Sequence, residues 1–369
     1  MPFTPSTIAL YSVGLLGGSI GAGLRESGYS GRIIGLSSKS SIEKALSLGC
    51  IDEGRSYDEL KDVIANVDCL FLCSPISAII QTIEALGSMS LPPGLMITDV
   101  GSTKSEIMAA AGRVLPSSVH FIGGHPMAGS EKSGALASDP FLFQNAMYIL
   151  TPQKNTPSGL VIDFAAFLER FLGCRHLVLD CDMHDRVVAA VSHVPHLLAV
   201  ALVNLAGKAD NAMPGALKLA AGGFRDMTRI ASAPYALWRD ILLTNKASIR
   251  PLLEEFRSII GELETGLMTD SLEPMFEDAV RTRREIPLGN KGFITQPNDI
   301  LVVARDQPGI IAELATALAR ESINIKDIEV LKVREGEAGT IRLAFESKTI
   351  ALKAVSLLTG LGFTARERN

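Results

Sequence analysis

Thr7-Ile-Ala-Leu-Tyr-Ser-Val-Gly-Leu-Leu-Gly-Gly-Ser19 is the stretch on which the fold turns. An apolar run of strand length passes into a glycine-rich turn and then into residues of helical periodicity that continue to about Gly28. This is the order of a dinucleotide-binding fingerprint, G-x-G-x-x-G. Its first glycine makes the turn, its second lets the backbone approach a pyrophosphate, and its third lets helix and strand touch. Gly14 and Gly17 fill the second and third places, with Leu15 and Leu16 between them on the phosphate-facing loop. Ser12 stands where the turn glycine belongs, so it must take up a compatible backbone, and an ordinary βα turn is the alternative reading. The surrounding strand, loop, helix and second strand fall where the fingerprint needs them, which favours dinucleotide binding.

The second strand, RIIGL, ends at Gly35-Leu-Ser-Ser-Lys39, where an acidic side chain normally takes the ribose hydroxyls of NAD. Ser37 replaces the carboxylate, and Ser38 and Lys39 are able to bind a 2′-phosphate, so the cofactor is NADP or NAD with NADP favoured. A solvated loop with a surface lysine is the alternative, since phosphate recognition more often uses arginine. Ser74, after the run DCLFLC, completes the candidate cofactor set.

Apolar runs and helical patterns alternate from Thr7 to about Leu150: IALYSV, RIIGL, DCLFLC and LMITDV. Alternation of this kind predicts an α/β, Rossmann-type, doubly wound domain over residues 1–181. VHFIGGH, AMYILTP and HLVLD are candidates for further strands whose order the sequence leaves open. Strand signals vanish after Asp182, and residues 182–288 read as an all-α domain with breaks at Pro195, Pro214-Gly215, Gly222-Gly223 and Pro234. Within it, Tyr235 to Glu264 carries an apolar stripe of bundle or dimer-interface type. A Gly/Pro/Asn-rich linker, 289–298, leads to residues 299–369, which read as a ferredoxin-like βαββαβ unit.

Composition narrows the function classes. The 369 residues carry 35 basic and 40 acidic side chains, a net charge of −5 that argues against nucleic acid as a partner. With 47% apolar and 20% charged residues the chain has ample material for cores, and disorder is excluded as its main state. No apolar run reaches the roughly 18 uninterrupted residues of a membrane span. The nearest, Val187–Ala206, is broken by Ser192, His193, Pro195, His196 and Asn204 and reads as a buried or interface helix. The opening MPFTPST lacks the basic region of a secretory signal. Five cysteines, without a CxxC pair or zinc spacing, read as buried apolar residues in a reducing cytoplasm, and no metal site is expected.

Three clusters lie at breaks between elements. DVGSTK, Asp99 to Lys104, follows a strand, where open α/β sheets place ligands. Its Ser102 is suited to bond a substrate hydroxyl or, alternatively, to cap the next helix. GGHPMAGSE, Gly123 to Glu131, holds His125 before a proline, read as an unpaired loop histidine. An imidazole with an ordinary pKa near ~6.5 suits abstraction of a hydroxyl proton as hydride departs. Glu131 orients a ligand or gates access in one reading and is a surface glutamate in the other. The third cluster combines SHVPH, with His193 and His196 one turn apart, and FRDMTRIA, with Arg225, Asp226 and Arg229, and has the look of anion capture. The two histidines lack a third metal ligand at suitable spacing, so packing or substrate contact is favoured. Arg229 either pairs with Asp226 or forks onto a carboxylate.

In this order, GLLGGS, IDEG (51–54), DVGSTK, GGHPMAGSEKSG (123–134), SHVPH, FRDMTRIA and WRDIL (238–242) resemble the prephenate dehydrogenase family, including its arogenate-using members, over nearly the whole chain. Residues 300–369, with DQPG (306–309) and ESINIKDIE (321–329), resemble an ACT domain, an amino-acid-sensing module. The resemblance implies oxidative decarboxylation of prephenate to 4-hydroxyphenylpyruvate in tyrosine biosynthesis. It makes His125 the base, with Ser102 on the hydroxyl or on the histidine. His196 would hold substrate, Arg229 would bind a carboxylate, and His193 and Glu131 would lie near the pocket. A homodimer built by the helical domain is implied, with tyrosine as effector at Gly309, Asn324 and Ile325. Gly309 is equally a helix-start glycine. Ser12 and Ser37 depart from the family pattern, and Ser37 puts its NAD preference in question. The rivals are a 6-phosphogluconate-type dehydrogenase, for which no lysine-base motif stands out, and an inert nucleotide and amino-acid sensor. Ser102, His125 and Arg229 together argue against the sensor.

Overall fold

In a computed structural model that describes residues 3–129, 134–286, 298–305, 307–332 and 338–367, the glycine-rich stretch joins β1 (Thr7–Tyr11) to α1 (Leu15–Glu26). The chain continues through β2 (Arg32–Leu36), α2 (Lys39–Ser47), β3 (Glu53–Arg55), α3 (Leu60–Ile64), β4 (Cys69–Leu72) and α4 (Ile76–Leu86). It then runs through β5 (Met96–Asp99), α5 (Ser105–Val114), β6 (His120–Pro126), β7 (Met147–Pro152), α6 (Ser158–Leu172) and β8 (Arg175–Val178). These strands make one sheet in the order β3-β2-β1-β4-β5-β6-β7-β8. From β3 to β6 all pairs are parallel, and the winding reverses between β1 and β4. That reversal leaves a crevice at the carboxyl ends of the strands, where this fold class binds ligands. β7 runs antiparallel to β6, and β8 runs parallel to β7, so the far edge that the sequence left open is mixed.

The central strands are buried on both faces, which is why they read as continuous apolar runs. Ile8, Leu10, Phe71, Met96, Ile122 and Leu150 pack on one side against Ile20, Leu24, Phe164 and Leu168 of α1 and α6. Ala9, Leu70, Leu72, Ile97 and Phe121 face the other way, onto Ile79, Ile83 and Ile107 of α4 and α5. Each such leucine, isoleucine or phenylalanine contributes about 1.5–3 kcal/mol.

The helical part runs α7 (Cys181–Val188), a π-turn at Ala189–His193, α8 (Val194–Ala212), α9 (Gly222–Thr228), α10 (Tyr235–Thr244), α11 (Lys246–Thr269) and α12 (Glu273–Glu285). The break expected at Pro195 does not occur. Helix continues from Cys181 to Ala212, because the wide π-turn just before Pro195 absorbs the clash and the missing N–H of its ring. By length and composition alone this stretch is long and apolar enough to cross a membrane. Here it carries buried His184, Asp185, His193 and His196 on the protein side. The stripe from Tyr235 to Glu264 is divided at Asn245. Ile249, Leu242, Leu252 and Leu253 pack with Ala189 and Val194, while Leu237, Ile259 and Ile260 stay exposed.

The chain forms two compact units, 1–274 and 275–369. The boundary expected between 181 and 182 lies inside the first. The second contains β9 (Asn298–Arg305), α13 (Ile310–Arg320), β10 (Asp327–Lys332), β11 (Ala338–Phe345), α14 (Lys348–Gly360) and β12 (Thr364–Glu367), with sheet order β10-β11-β9-β12. Ile300, Val302, Leu314, Leu318, Leu343, Phe345 and Leu358 form its core. The stretch INIKDIEVLKV, which begins at Ile323, reads as its second strand, but that strand starts only at Asp327. Ser322 at φ 55° and Ile323 close α13 instead, through bonds to the carbonyls of Ala319 and Leu318.

Candidate active site

Ser12 adopts φ 78°, the left-handed conformation that the missing glycine would have supplied, and its N–H donates to the Leu36 carbonyl at 2.8 Å. Gly17 permits no substitute, because an added Cβ would fall 2.2 Å from the Ser12 carbonyl oxygen. Gly14 is the N-cap of α1 with no side-chain cap, and an added Cβ there meets nothing within 4 Å. The first intrahelical bond is Gly18 N–H to the Gly14 carbonyl, so the N–H groups of Leu15, Leu16 and Gly17 are left for a ligand. The positive end of a 12-residue helix, with no described atom within 4 Å of the Cβ position at Gly14, fits a dinucleotide pyrophosphate.

At the end of β2, Ser37 is 4% exposed and its hydroxyl lies 3.3 Å from that of Tyr57. The Tyr57 ring packs on Tyr11. Ser38 caps α2, accepting from the Ser41 N–H at 3.4 Å, and Lys39 is exposed in the first turn. Ser37 also donates its N–H to the Arg55 carbonyl, and the Arg55 guanidinium pairs with Glu53 and Glu59. Tyr57 and Arg55 were not singled out from sequence; Arg55 ends a three-residue strand and Tyr57 opens a three-residue 3-10 turn, both too short for any periodicity to announce. Ser74 is half-buried between β4 and α4.

The second end of the site is built on two buried charges. Lys104 and Asp99 are both 0% exposed and form an ion pair. Lys104 Nζ also donates to the Gly124 carbonyl at 2.7 Å, and Asp99 accepts the N–H groups of Gly101 (2.7 Å) and Gly124 (3.1 Å). Burial lowers the Lys104 pKa, with Asp99 acting in the opposite sense. The pair clamps the peptide immediately before His125. Ser102 is half-buried in the adjoining loop and does not cap α5. Asp185 of α7 does so from across the fold, accepting the N–H groups of Lys104 at 2.7 Å and Ser105 at 2.9 Å.

His125 is neither unpaired nor in a loop. It lies in β6, extended as a residue before proline should be, and is 8% exposed. Its Nδ1 is 2.8 Å from His184 Nε2, and His184 Nδ1 is 2.8 Å from Asp185 Oδ1. Burial, then the neighbouring His184, Lys104 and His193, push its pKa well below the ordinary histidine value. His125 is therefore neutral at pH 7 and able to accept a proton.

His193 is buried, its Nδ1 3.1 Å from Asn245 Nδ2, which also donates to the Asp185 carbonyl at 2.7 Å. Burial brings its pKa down to about 4, against an opposing pull from Asp185. His196 stacks on Trp238 with ring centroids 3.6 Å apart, burial lowers its pKa, and its Nδ1 has no partner among the described residues. Arg225 is exposed on α9, and Arg229 is exposed in a 3-10 turn packed against α8, the helix of His196. Glu131 lies outside the described residues. In the second unit Gly309 is the N-cap of α13 at φ 90°, Asn324 is exposed, and Ile325 packs on that unit's core. Among the described residues no group of three or more histidine, cysteine or acidic side chains is placed to hold a metal.

His184, Asp185, Asn245 and Trp238 were missed as site residues. In sequence the first two resemble the polar face of an amphipathic first turn, and the pairings that reveal them span 59 to 81 residues.

Comparison with known proteins gives a consistent answer. Residues 20–175 match the family described as prephenate dehydrogenase, nucleotide-binding domain. Residues 180–282 match prephenate dehydrogenase, dimerization domain, and 299–351 match the ACT domain. Prephenate dehydrogenase of Bacillus subtilis is 37% identical over 345 residues, 92% of each chain. Prephenate dehydrogenase from A. aeolicus, solved in complex with hydroxyphenyl propionate and NAD+, aligns with a TM-score of 0.67 at 33% identity, covering 76% of this chain and 97% of that one. Synechocystis arogenate dehydrogenase aligns with a TM-score of 0.66 at 29% identity, covering 76% of this chain and 98% of that one.

Proposed function

The chain belongs to the prephenate dehydrogenase family, and from that premise we propose that it converts prephenate to 4-hydroxyphenylpyruvate and CO2 with hydride transfer to NAD(P), in tyrosine biosynthesis. The observation that carries the reading is a buried, neutral His125 at the carboxyl end of β6, in the same sheet whose β1 feeds an open helix N-terminus. The bound nicotinamide supplies the hydride acceptor. His125 takes the proton of the ring hydroxyl as the carbon that bears it is oxidised. Ser102 bonds that hydroxyl or the histidine, and His196, held flat by Trp238, contacts the ring system with His193 beside it. Arg229, with Arg225 one helical turn before it in sequence, receives a substrate carboxylate, and Glu131, which matches a family position near the pocket, orients the ligand or gates access. Aromatisation drives the loss of CO2 once the carbon is oxidised, so no separate acid is needed, and a base with a carboxylate clamp suffices.

Gly14, Leu15, Leu16 and Gly17 hold the pyrophosphate in this reading, with Ser74, just after β4 and beside β1, as a further cofactor contact. Ser37 in the place of a carboxylate, with Ser38 and Lys39 following, supports NADP over NAD. Exposed Leu237, Ile259 and Ile260 support a homodimer through the helical part. Tyrosine is the proposed effector of the ACT unit, at Gly309, Asn324 and Ile325. Free thiols at all five cysteines suit a cytoplasmic location. Arogenate is the second reading, favoured by the likeness to the Synechocystis enzyme. It differs from prephenate only in an alanyl for a pyruvyl side chain, remote from the hydride.

The test is steady-state nicotinamide reduction with prephenate or arogenate crossed with NAD or NADP, each with and without tyrosine. Turnover of prephenate, faster with NADP and slowed by tyrosine, is expected. Turnover of arogenate alone would shift the substrate, and folded, cofactor-binding protein inert toward both would favour the sensor.

A further inference from the structure

We propose that Asp185, His184 and His125 form a relay in which His184 fixes the tautomer of the base and takes up its charge during turnover. The inference rests on the reading of His125 as base, and it concerns residues from three separate elements. His125 comes from β6, His184 and Asp185 from α7, and the backbone that anchors Asp185 from the start of α5.

With both histidines uncharged, the hydrogen bonds leave one arrangement of protons. Burial raises the Asp185 pKa, but bonds from His184, Ser105 and Lys104 outweigh it and hold the carboxyl below its ordinary value. An ionised carboxylate only accepts, so the proton in the 2.8 Å contact with His184 sits on His184 Nδ1. A neutral His184 then has a lone pair at Nε2, so the 2.8 Å contact with His125 requires the proton on His125 Nδ1. His125 Nε2 is left with its lone pair, which is the form that can take a substrate proton. A histidine free in water favours the opposite tautomer, with the proton on Nε2, and would present no acceptor there. The Asp185 carboxylate therefore orients a base it does not touch, and Asn245, bonded to the Asp185 carbonyl at 2.7 Å, steadies that turn of α7.

The same chain balances the reaction. The hydroxyl proton joins His125 Nε2 as hydride leaves the ring carbon, and the Nδ1 proton of His125 passes to His184 Nε2. Positive charge then rests on His184 against Asp185, while Asp185 gains no proton. Breaking of the carbon–carboxylate bond releases CO2 and leaves its electron pair in the aromatic ring, as phenolate. The phenolate oxygen recovers a proton from His125 Nε2, and His184 returns its own to His125 Nδ1. No net proton is consumed. His125 is faced by His184 from α7, by the Lys104 ammonium at the start of α5 and by His193 from the π-turn. A cation held on His125 would stand near the Lys104 ammonium, whereas one held on His184 meets the Asp185 carboxylate.

Histidine-selective 15N spectra of the full-length protein at pH 7 test the geometry without substrate. His125 and His184 should both show a protonated Nδ1 and an unprotonated Nε2, assigned with His125→Asn and His184→Gln; a protonated Nε2 on His125 would overturn the relay. Kinetics separate the two roles. His184→Gln keeps an amide oxygen to accept from His125 Nδ1 but cannot take up a proton, so KM for prephenate should hold while kcat falls about 10- to 100-fold. His184→Leu, which loses both roles, should fall further. Folded His184→Leu with the kcat of the wild type would also overturn the relay. Since the spectra need no turnover, failure to oxidise prephenate would count against the substrate reading alone.

Discussion

Replacing Lys104 with Met removes the ammonium from a pair in which neither partner is exposed to water. Asp99 would keep the N–H groups of Gly101 and Gly124 but lose its only cation in the described contacts, and the Gly124 carbonyl would lose its 2.7 Å donor. Removing one partner of a buried ion pair costs about 3–5 kcal/mol, because the remaining charge is left in a low-dielectric interior. Removing both charges is far cheaper, since in Lys104→Met/Asp99→Asn the amide oxygen that replaces the carboxylate can still accept from one of the two glycine N–H groups. A cost of about 1–3 kcal/mol is expected for the double variant. Against a total stability of about 5–15 kcal/mol the single variant should be visibly marginal and the double variant should recover. Urea unfolding at pH 7, with slopes compared to ensure that the same surface is exposed, measures both. The reasoning is refuted if Lys104→Met stays within about 1 kcal/mol of the parent, or if the double variant is as unstable as the sum of the two singles. Because the pair clamps the peptide before His125, kcat should fall in Lys104→Met even at temperatures where it is folded.

Ser12→Gly should stabilise the protein by about 0.5–1 kcal/mol, as relief of roughly 1–2 kcal/mol of left-handed strain exceeds the added entropy of glycine; a lowered urea midpoint would contradict the φ of 78°. His193, depressed to about 4 in the folded state, gives a pH dependence of definite sign. Its unfolded form binds a proton first, so its contribution is complete above about pH 6.5 and is lost as pH falls toward the folded value, roughly 2 kcal/mol by pH 5. His193→Gln should flatten that part of the stability profile, and an unchanged slope between pH 7 and 5 would count against it. Ser37→Asp should move cofactor preference toward NAD, and an unaltered ratio of kcat/KM for NADP over NAD would refute the role given to the end of β2.

Local chemistry was legible where it depends on neighbours in sequence. Gly14, Gly17 and the run before them announced the βα turn, and the need for an unusual backbone at Ser12 is met at φ 78°. What failed to show was anything settled by partners far along the chain. Pro195 reads as a helix breaker because the π-turn that accommodates it has no signature in residue types. Ile323 reads as the start of a strand, yet its N–H closes α13. The capping role that was the alternative for Ser102 is taken by a carboxylate 80 residues from Ser105, and the same carboxylate explains why His125 is not an isolated histidine. The order of β6, β7 and β8 is a matter of edge pairing, which apolar runs alone do not encode.

The central claim, that His125 is the base of a prephenate-oxidising enzyme, is tested most directly by prephenate-dependent nicotinamide reduction in the parent and in His125→Asn, with cofactor affinity measured in both by fluorescence titration. The account predicts turnover in the parent and a loss of about 10²- to 10⁴-fold in kcat for His125→Asn, at unchanged cofactor Kd. Equal turnover by the two proteins would contradict it.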